Sequence, residues 1–262
     1  MSLVKAKKHL GQHFLTDKNI AQKIVNALIH HNKYRQVLEV GPGMGVLSDF
    51  LLQKTEFETH LIDIDTESFD FLQRQYPDLG GRLINADFLA LDFKTVFKEP
   101  FAIIGNFPYN ISSQILFKVL DNRAQVPEVV GMFQKEVAER CVAKPGSKEY
   151  GIISVFLQAY YKCEYLFTVK AGVFNPPPKV LSAVIRLSRN EVEELDCDEK
   201  LFWQIVKAGF NQRRKTLSNA LSGIIPKNFQ DESDVWSLRA ERLSVTDFVE
   251  LTQKVSRVIH KE

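Results

Sequence analysis

The chain has 262 residues, 45% hydrophobic and 25% charged, with a net charge of +2; this excludes a disordered linker and allows a full core. No window approaches the ~20 apolar residues of a membrane-spanning helix, and Cys141, Cys163 and Cys197 suit neither CxxC metal pairs nor a disulfide framework. The basic start MSLVKAKKHLGQHF lacks the apolar stretch of a signal peptide, so the expectation is a reduced, cytoplasmic, monomeric protein without a metal.

Residues 1–35 carry Lys5, Lys7, Lys8, Lys18, Lys23, Lys33 and Arg35 against Asp17 alone, which suits either a polyanion-facing segment or a solvated surface. Asp17 can cap a helix that buries Ile20, Ile24, Ala27 and Leu28. Strands are then expected at Val37–Val40, His60–Ile64, Arg82–Asn85, Ala102–Gly105, Glu128–Phe133, Ser154–Tyr161 and Leu181–Leu187, with helical patterns between them. That alternation predicts an α/β fold with a mostly parallel seven-stranded sheet covered on both faces. After Ser188 only helical periodicity remains. An acidic run, Glu191–Glu199, leads into Leu201, Ile205 and Ala208, and Phe248, Leu251, Val255 and Ile259 follow later. The expected division is a Rossmann-like domain at 1–189 and a helical domain at 190–262.

The first strand runs into Gly41-Pro-Gly-Met-Gly45, with Glu39 two residues before the first glycine. Three alternating glycines let a backbone approach a ligand closely at the carboxyl edge of a parallel sheet. A GxGxxG dinucleotide fingerprint would need glycine where Val46 stands; GxGxG instead resembles class I S-adenosylmethionine-dependent methyltransferases. Asp63, 22 residues after Gly41, ends the next strand where a carboxylate can accept ribose hydroxyls. Asp87 follows the third strand, and in such methyltransferases an acid there accepts from the adenine amine while the next apolar residue, here Phe88, packs on the ring.

The fourth strand ends in Gly105-Asn-Phe-Pro-Tyr-Asn110. This resembles the (D/N/S)PP(Y/F) motif of methyltransferases that act on nucleobase amines, in the form found in adenine N6 dimethylases. An adenine amine is a poor nucleophile, and an acceptor on each N–H favours the pyramidal amine of the transition state. The Asn106 side chain supplies one acceptor. Pro108 restricts Phe107 to extended backbone and so aims the Phe107 carbonyl as a second, and Tyr109 offers a face on which the base can stack. The same six residues also fit a proline-closed strand end with Phe107 and Tyr109 in the core.

Lys8-His-Leu-Gly-Gln-His-Phe-Leu-Thr16, Gln134-Lys-Glu-Val137 and Phe174-Asn-Pro-Pro-Pro-Lys-Val180 are similar to three further signatures of one family. With them, the chain resembles bacterial small-subunit ribosomal RNA adenine dimethyltransferases from residue 5 to 187. The resemblance implies transfer of methyl groups from S-adenosylmethionine, leaving S-adenosylhomocysteine, to N6 of two adjacent adenosines in the 3′-terminal hairpin of 16S rRNA. The expected partner is the 30S subunit or its precursor. It implies cofactor contacts at His13, Leu15, Gly41, Gly43, Asp63, Asp87, Phe88 and Asn106, and a base pocket of Phe14, Pro108, Tyr109 and Phe174. Histidine stands at position 13 where the family usually has asparagine, and Asp63 replaces a more frequent glutamate. The expected RNA contacts are Lys5, Lys7, Lys8, Arg213, Arg214 and Lys215. Competing readings are a 23S rRNA methyltransferase of the erythromycin-resistance type and a non-catalytic assembly factor.

Overall fold

A computed structural model describes residues 4–226, 231 and 233–259. The strands are Phe14–Leu15 (β1), Gln36–Val40 (β2), Glu58–Asp63 (β3), Leu83–Asn85 (β4), Phe101–Asn106 (β5), Glu128–Gln134 (β6), Tyr161–Val169 (β7), Phe174–Asn175 (β8) and Ser182–Arg189 (β9). The helices in the first part of the chain are Lys18–Val25 (α1), Ser48–Leu51 (α2), Thr66–Gln75 (α3), Phe93–Val96 (α4) and Ser112–Asp121 (α5). They are followed by Lys135–Val142 (α6), Ile152–Tyr160 (α7), Glu199–Asn211 (α8), Leu217–Ala220 (α9) and Val245–Ile259 (α10).

Seven strands form one sheet in the order β4-β3-β2-β5-β6-β9-β7. The pairs from β4 through β6 are parallel and β6–β9 is antiparallel. The central strands β2, β5 and β6 are buried along nearly their whole length, as a sheet covered on both faces requires. Asp17 caps α1 as expected, accepting from the N–H groups of Asn19 and Ile20.

The chain divides into two compact units, Met1–Ala138 with Lys162–Arg189, and Glu139–Tyr161 with Asn190–Glu262. The sequence places one crossing at 189/190; the structure adds the excursion 139–161, which belongs with the C-terminal segment. The same excursion corrects the sixth expected strand, because Ser154–Tyr161 is helical in α7 and the strand follows it as β7. Val155, Phe156, Leu157, Ala159 and Tyr160 are all buried, and an apolar run buried all round shows no period that separates helix from strand. Ser154 marks the helix start, its hydroxyl accepting from Gly151 N–H and donating to the Arg140 carbonyl. Within this second unit the Phe156 ring lies 3.8 Å from that of Trp203 on α8. Asp198 caps α8, so the acidic run ends as a helix entry.

Candidate functional site

Strand order reverses between β2 and β5, which opens a crevice outside the carboxyl ends of a parallel sheet. A cavity lined by these strand ends occupies that position, where open α/β sheets bind small molecules. Four successive strand ends line it. They contribute Gly41 and Gly43, then Asp63 and Ile64, then Asp87 and Phe88, and last Asn106 through Ile111. Residues 10–14 form a further wall, a strap from the N-terminal segment.

The glycines meet two different demands. Gly41, Gly43 and Gly45 all have positive φ, at 66°, 58° and 80°, where a Cβ is strained. At Gly43 a Cβ would also lie 2.7 Å from the Phe14 ring, and at Gly45 it would lie 2.6 Å from the Tyr76 hydroxyl. A Cβ on Gly41 would meet nothing nearer than Pro108 at 3.9 Å. The space over Gly41 is therefore open cavity, a cradle that any side chain would fill. Glu39 lies behind the loop, where it is buried and accepts from Ser48 Oγ at 2.6 Å; burial pushes its carboxyl up to about 8.

Asp63 is buried at the end of β3 and braces the loop from beneath. Its oxygens accept from Gly43 N–H at 3.2 Å and Asp65 N–H at 2.9 Å. Burial pushes its carboxyl up to about 6 against the pull of these bonds. Asp87 is exposed, and one oxygen accepts from Leu89 N–H at 2.8 Å. Phe88 is buried and reaches the cavity wall from the Phe93 side, with ring centroids 5.5 Å apart. The carboxylates and the open cradle suit a ribose and an adenine, so the residues present fit S-adenosylmethionine.

Long-range bonds hold the strap. Lys7 Nζ pairs with Asp65, whose other oxygen accepts from Gln12 Nε2 at 3.0 Å. Burial raises the Asp65 carboxyl, but the Lys7 and Gln12 bonds outweigh it and hold the group below its ordinary range. The His13 ring has its Nδ1 at 2.8 Å from the Pro176 carbonyl and its centroid 5.3 Å from that of Tyr109. The strap also reaches the motif through its backbone, since Asn106 Nδ2 donates to the His13 carbonyl at 2.8 Å.

The six residues after β5 divide between core and cavity. The Phe107 ring is 1% exposed, centred 4.9 Å from Phe133, and occupies the room left by Gly105 and Gly131. A Cβ on Gly131 would lie 2.2 Å from it. Phe107 N–H extends the ladder to the Met132 carbonyl at 3.1 Å. Tyr109 is half-buried, lines the cavity and bonds through its hydroxyl to Ser182 on β9; burial raises its pKa.

Of the expected site residues, Leu15 and Phe174 are not among those lining the cavity. They pair across the short β1–β8 ladder and are buried in the core beneath the strap. Phe14 lies over Gly43 on the cavity wall. Among the expected RNA contacts, Lys5 and Lys8 are exposed and Lys7 is held by Asp65. In the second unit Arg213 donates to the carbonyls of Lys148, at 2.7 Å, and Ser147. Arg214 and Lys215 are exposed. Gln12, Ile64, Asp65 and Ser182 escaped the sequence reading. Ile64, 54% exposed on the cavity wall, carried a signal: an apolar residue between two acids at a strand end.

The chain matches the family model for ribosomal RNA adenine dimethylase over residues 3–256. It is 58% identical over 256 residues to the ribosomal RNA small subunit methyltransferase A of Cytophaga hutchinsonii, covering 98% of this chain and 99% of the relative. The protein of the same description from Parabacteroides distasonis is 54% identical, covering 100% and 98%. Among solved structures, a dimethyladenosine transferase from Plasmodium falciparum has a TM-score of 0.79 at 26% identity, covering 94% of this chain and 98% of that one. The 23S rRNA methyltransferase ErmE has a TM-score of 0.69 at 23% identity, covering 91% and 99%, a likeness of fold.

Proposed function

The chain belongs to the ribosomal RNA adenine dimethylase family, and from that premise we propose that it dimethylates N6 of two adjacent adenosines in the 3′-terminal hairpin of 16S rRNA. Its substrate would be the small subunit or a precursor of it. The small-subunit description of the 58% and 54% identical relatives favours this over 23S rRNA. The observation that carries the chemistry is Asn106, whose amide nitrogen is engaged by the strap at the mouth of a cavity ringed by Gly41, Asp63 and Asp87.

S-adenosylmethionine, when bound, supplies a methyl group already activated on a sulfonium. Gly41, Asp63, Asp87 and Phe88 would hold it, and the protein's remaining task is to align and polarise the target amine. Asn106 Oδ1 accepts one N–H of that amine and the Phe107 carbonyl accepts the other, so both acceptors favour the amine as it pyramidalises and gains charge. The buried Phe107 ring holds that carbonyl's backbone in place, a role the sequence assigned to Pro108 alone. Tyr109, fixed by Ser182, presents its face to the base, which a loop adenosine can swing out at small cost. The methylated amine is a strong acid and loses its proton to water, so no side-chain base is needed. Exposed Lys5, Lys8, Arg214 and Lys215 would meet phosphates.

The test is to incubate the protein with labelled S-adenosylmethionine and either unmethylated 30S subunits or unmethylated 23S rRNA, then map modified bases. Two neighbouring dimethyladenosines near the 3′ end of 16S rRNA are expected. Label confined to 23S rRNA overturns the substrate, and label in neither overturns the reaction.

A further inference from the structure

Asn106 is the last residue of β5, and its side chain sits between two different surfaces. On one side is the main-chain carbonyl of His13, 2.8 Å from Nδ2. On the other is the cavity that Asn106 helps to line. An amide can be rotated by 180° with little change of shape, so its neighbours decide which atom faces where. A carbonyl oxygen at hydrogen-bond distance accepts only, so it demands the NH2 group and repels the amide oxygen. No donor among the described residues bonds Asn106 Oδ1, which is left for the cavity.

We infer that the His13 main-chain carbonyl is a positioning group for the reaction: it orients the Asn106 amide so that Oδ1 alone can face the target amine, and position 106 therefore requires an amide and rejects a carboxylate. This rests on the function proposed above and adds a constraint to it. The motif (D/N/S)PP(Y/F) admits aspartate because a carboxylate is a sufficient acceptor for an amine. Here the same carboxylate would set one oxygen against the His13 carbonyl with no proton between them, and two facing acceptors repel.

The His13 carbonyl is itself held in place. Gln12 Nε2 is tied to Asp65, the His13 ring to Pro176, and the Thr16 N–H to the Val173 carbonyl at 2.8 Å. With bonds on both sides of it, the carbonyl cannot swing away from a carboxylate without releasing the strap.

The constraint has a signature that loss of packing lacks. A protonated carboxyl group carries both a donor and an acceptor, as the amide does. Asn106→Asp should therefore be inactive when ionised and regain activity when protonated. The titratable groups facing the same cavity are His13 on the strap, Asp63 after β3, Asp87 after β4 and Tyr109 after β5. Wild type and Asn106→Ala carry the same four, so ratios of rates cancel their titration.

The experiment measures single-turnover methyl transfer to unmethylated 30S subunits from pH 5.5 to 8.5 for wild type, Asn106→Asp and Asn106→Ala. At pH 8 both variants should be slower than wild type by about a hundredfold, the order of loss for one transition-state hydrogen bond. Toward pH 5.5 the ratio of Asn106→Asp to wild type should climb at least about threefold, as a few per cent of an ordinary carboxyl becomes protonated against a hundredfold-reduced floor, while that of Asn106→Ala stays level. An Asn106→Asp rate near wild type at pH 8, or a ratio that does not change with pH, overturns the inference. A second readout needs no reaction: in 15N-resolved NMR of the wild-type protein, one Asn106 side-chain amide proton should resist exchange with solvent. Two freely exchanging protons overturn the inference whatever the protein methylates, whereas protection in a protein that transfers no methyl group overturns only the function.

Discussion

The cavity and the two basic clusters differ in how much of their chemistry is left free. At the cavity, residues drawn from four strand ends converge, and Asn106 still offers an oxygen and Gly41 an open face. In each basic cluster a leading cation is consumed by the fold, Lys7 by Asp65 and Arg213 by two carbonyls of residues 147 and 148. A glycine turn or a strand end specifies its own geometry, so residue type predicts placement. A run of cations specifies only charge, and its neighbours decide which members remain available.

The largest expected effect sharpens the cavity side. Asn106→Ala should slow methyl transfer by about a hundredfold, roughly 3 kcal/mol of barrier, with stability lowered by no more than about 1 kcal/mol for the lost bond to the His13 carbonyl; a normal single-turnover rate would reduce the motif to a turn. Gly131→Ala tests whether the Phe107 ring is as tightly held as its contacts indicate. With a Cβ 2.2 Å from that ring, stability should fall by about 1–3 kcal/mol, measured as a lower Tm, and an unshifted Tm would mean the ring can yield.

Asp63 gives a smaller, pH-dependent effect. Its folded pKa is raised to about 6 by burial, so the folded state holds this proton more tightly than the unfolded chain does. Its contribution to stability is therefore present below the ordinary carboxylate range and is lost as pH rises through about 6. Affinity for S-adenosylmethionine runs the opposite way, because only the ionised group offers all its lone pairs to hydroxyls. Calorimetric titration should show binding strengthening by up to about tenfold from pH 5 to 7, and Asp63→Asn should remove that rise.

The smallest effect separates the members of a basic cluster. Arg214→Ala with Lys215→Ala should flatten the salt dependence of 30S binding by up to about 2 in log–log slope without moving Tm. Arg213→Ala should lower Tm and leave the slope nearly unchanged. The reverse pattern would place Arg213 on the RNA and dissolve the contrast between cluster and cavity.

Much of the site was legible because it is local. Asp63 two residues before the cap of α3, Asp87 just after β4, and Asn106 at the end of β5 each follow from an apolar run that stops at a polar residue. Phe107 and Tyr109 could not be separated in this way. Two aromatics flanking a proline look alike until Gly105 and Gly131 open a ring-sized space under one of them and Ser182 fixes the other. The placement of Leu15 and Phe174 outside the cavity lining was illegible for a similar reason. Their side chains belong to a β1–β8 ladder between segments some 160 residues apart, and no local pattern announces that pairing.

The sequence by itself determined six of the seven strands of the sheet, the glycine turn and the acids at its edge, because strand periodicity, positive φ and capping act over a few residues. Tertiary structure alone decided that 152–160 is helical, that Lys7 and Arg213 are spent within the fold, and that the Asn106 amide meets a carbonyl 93 residues away. Each of these depends on which groups long-range packing brings to within a hydrogen bond.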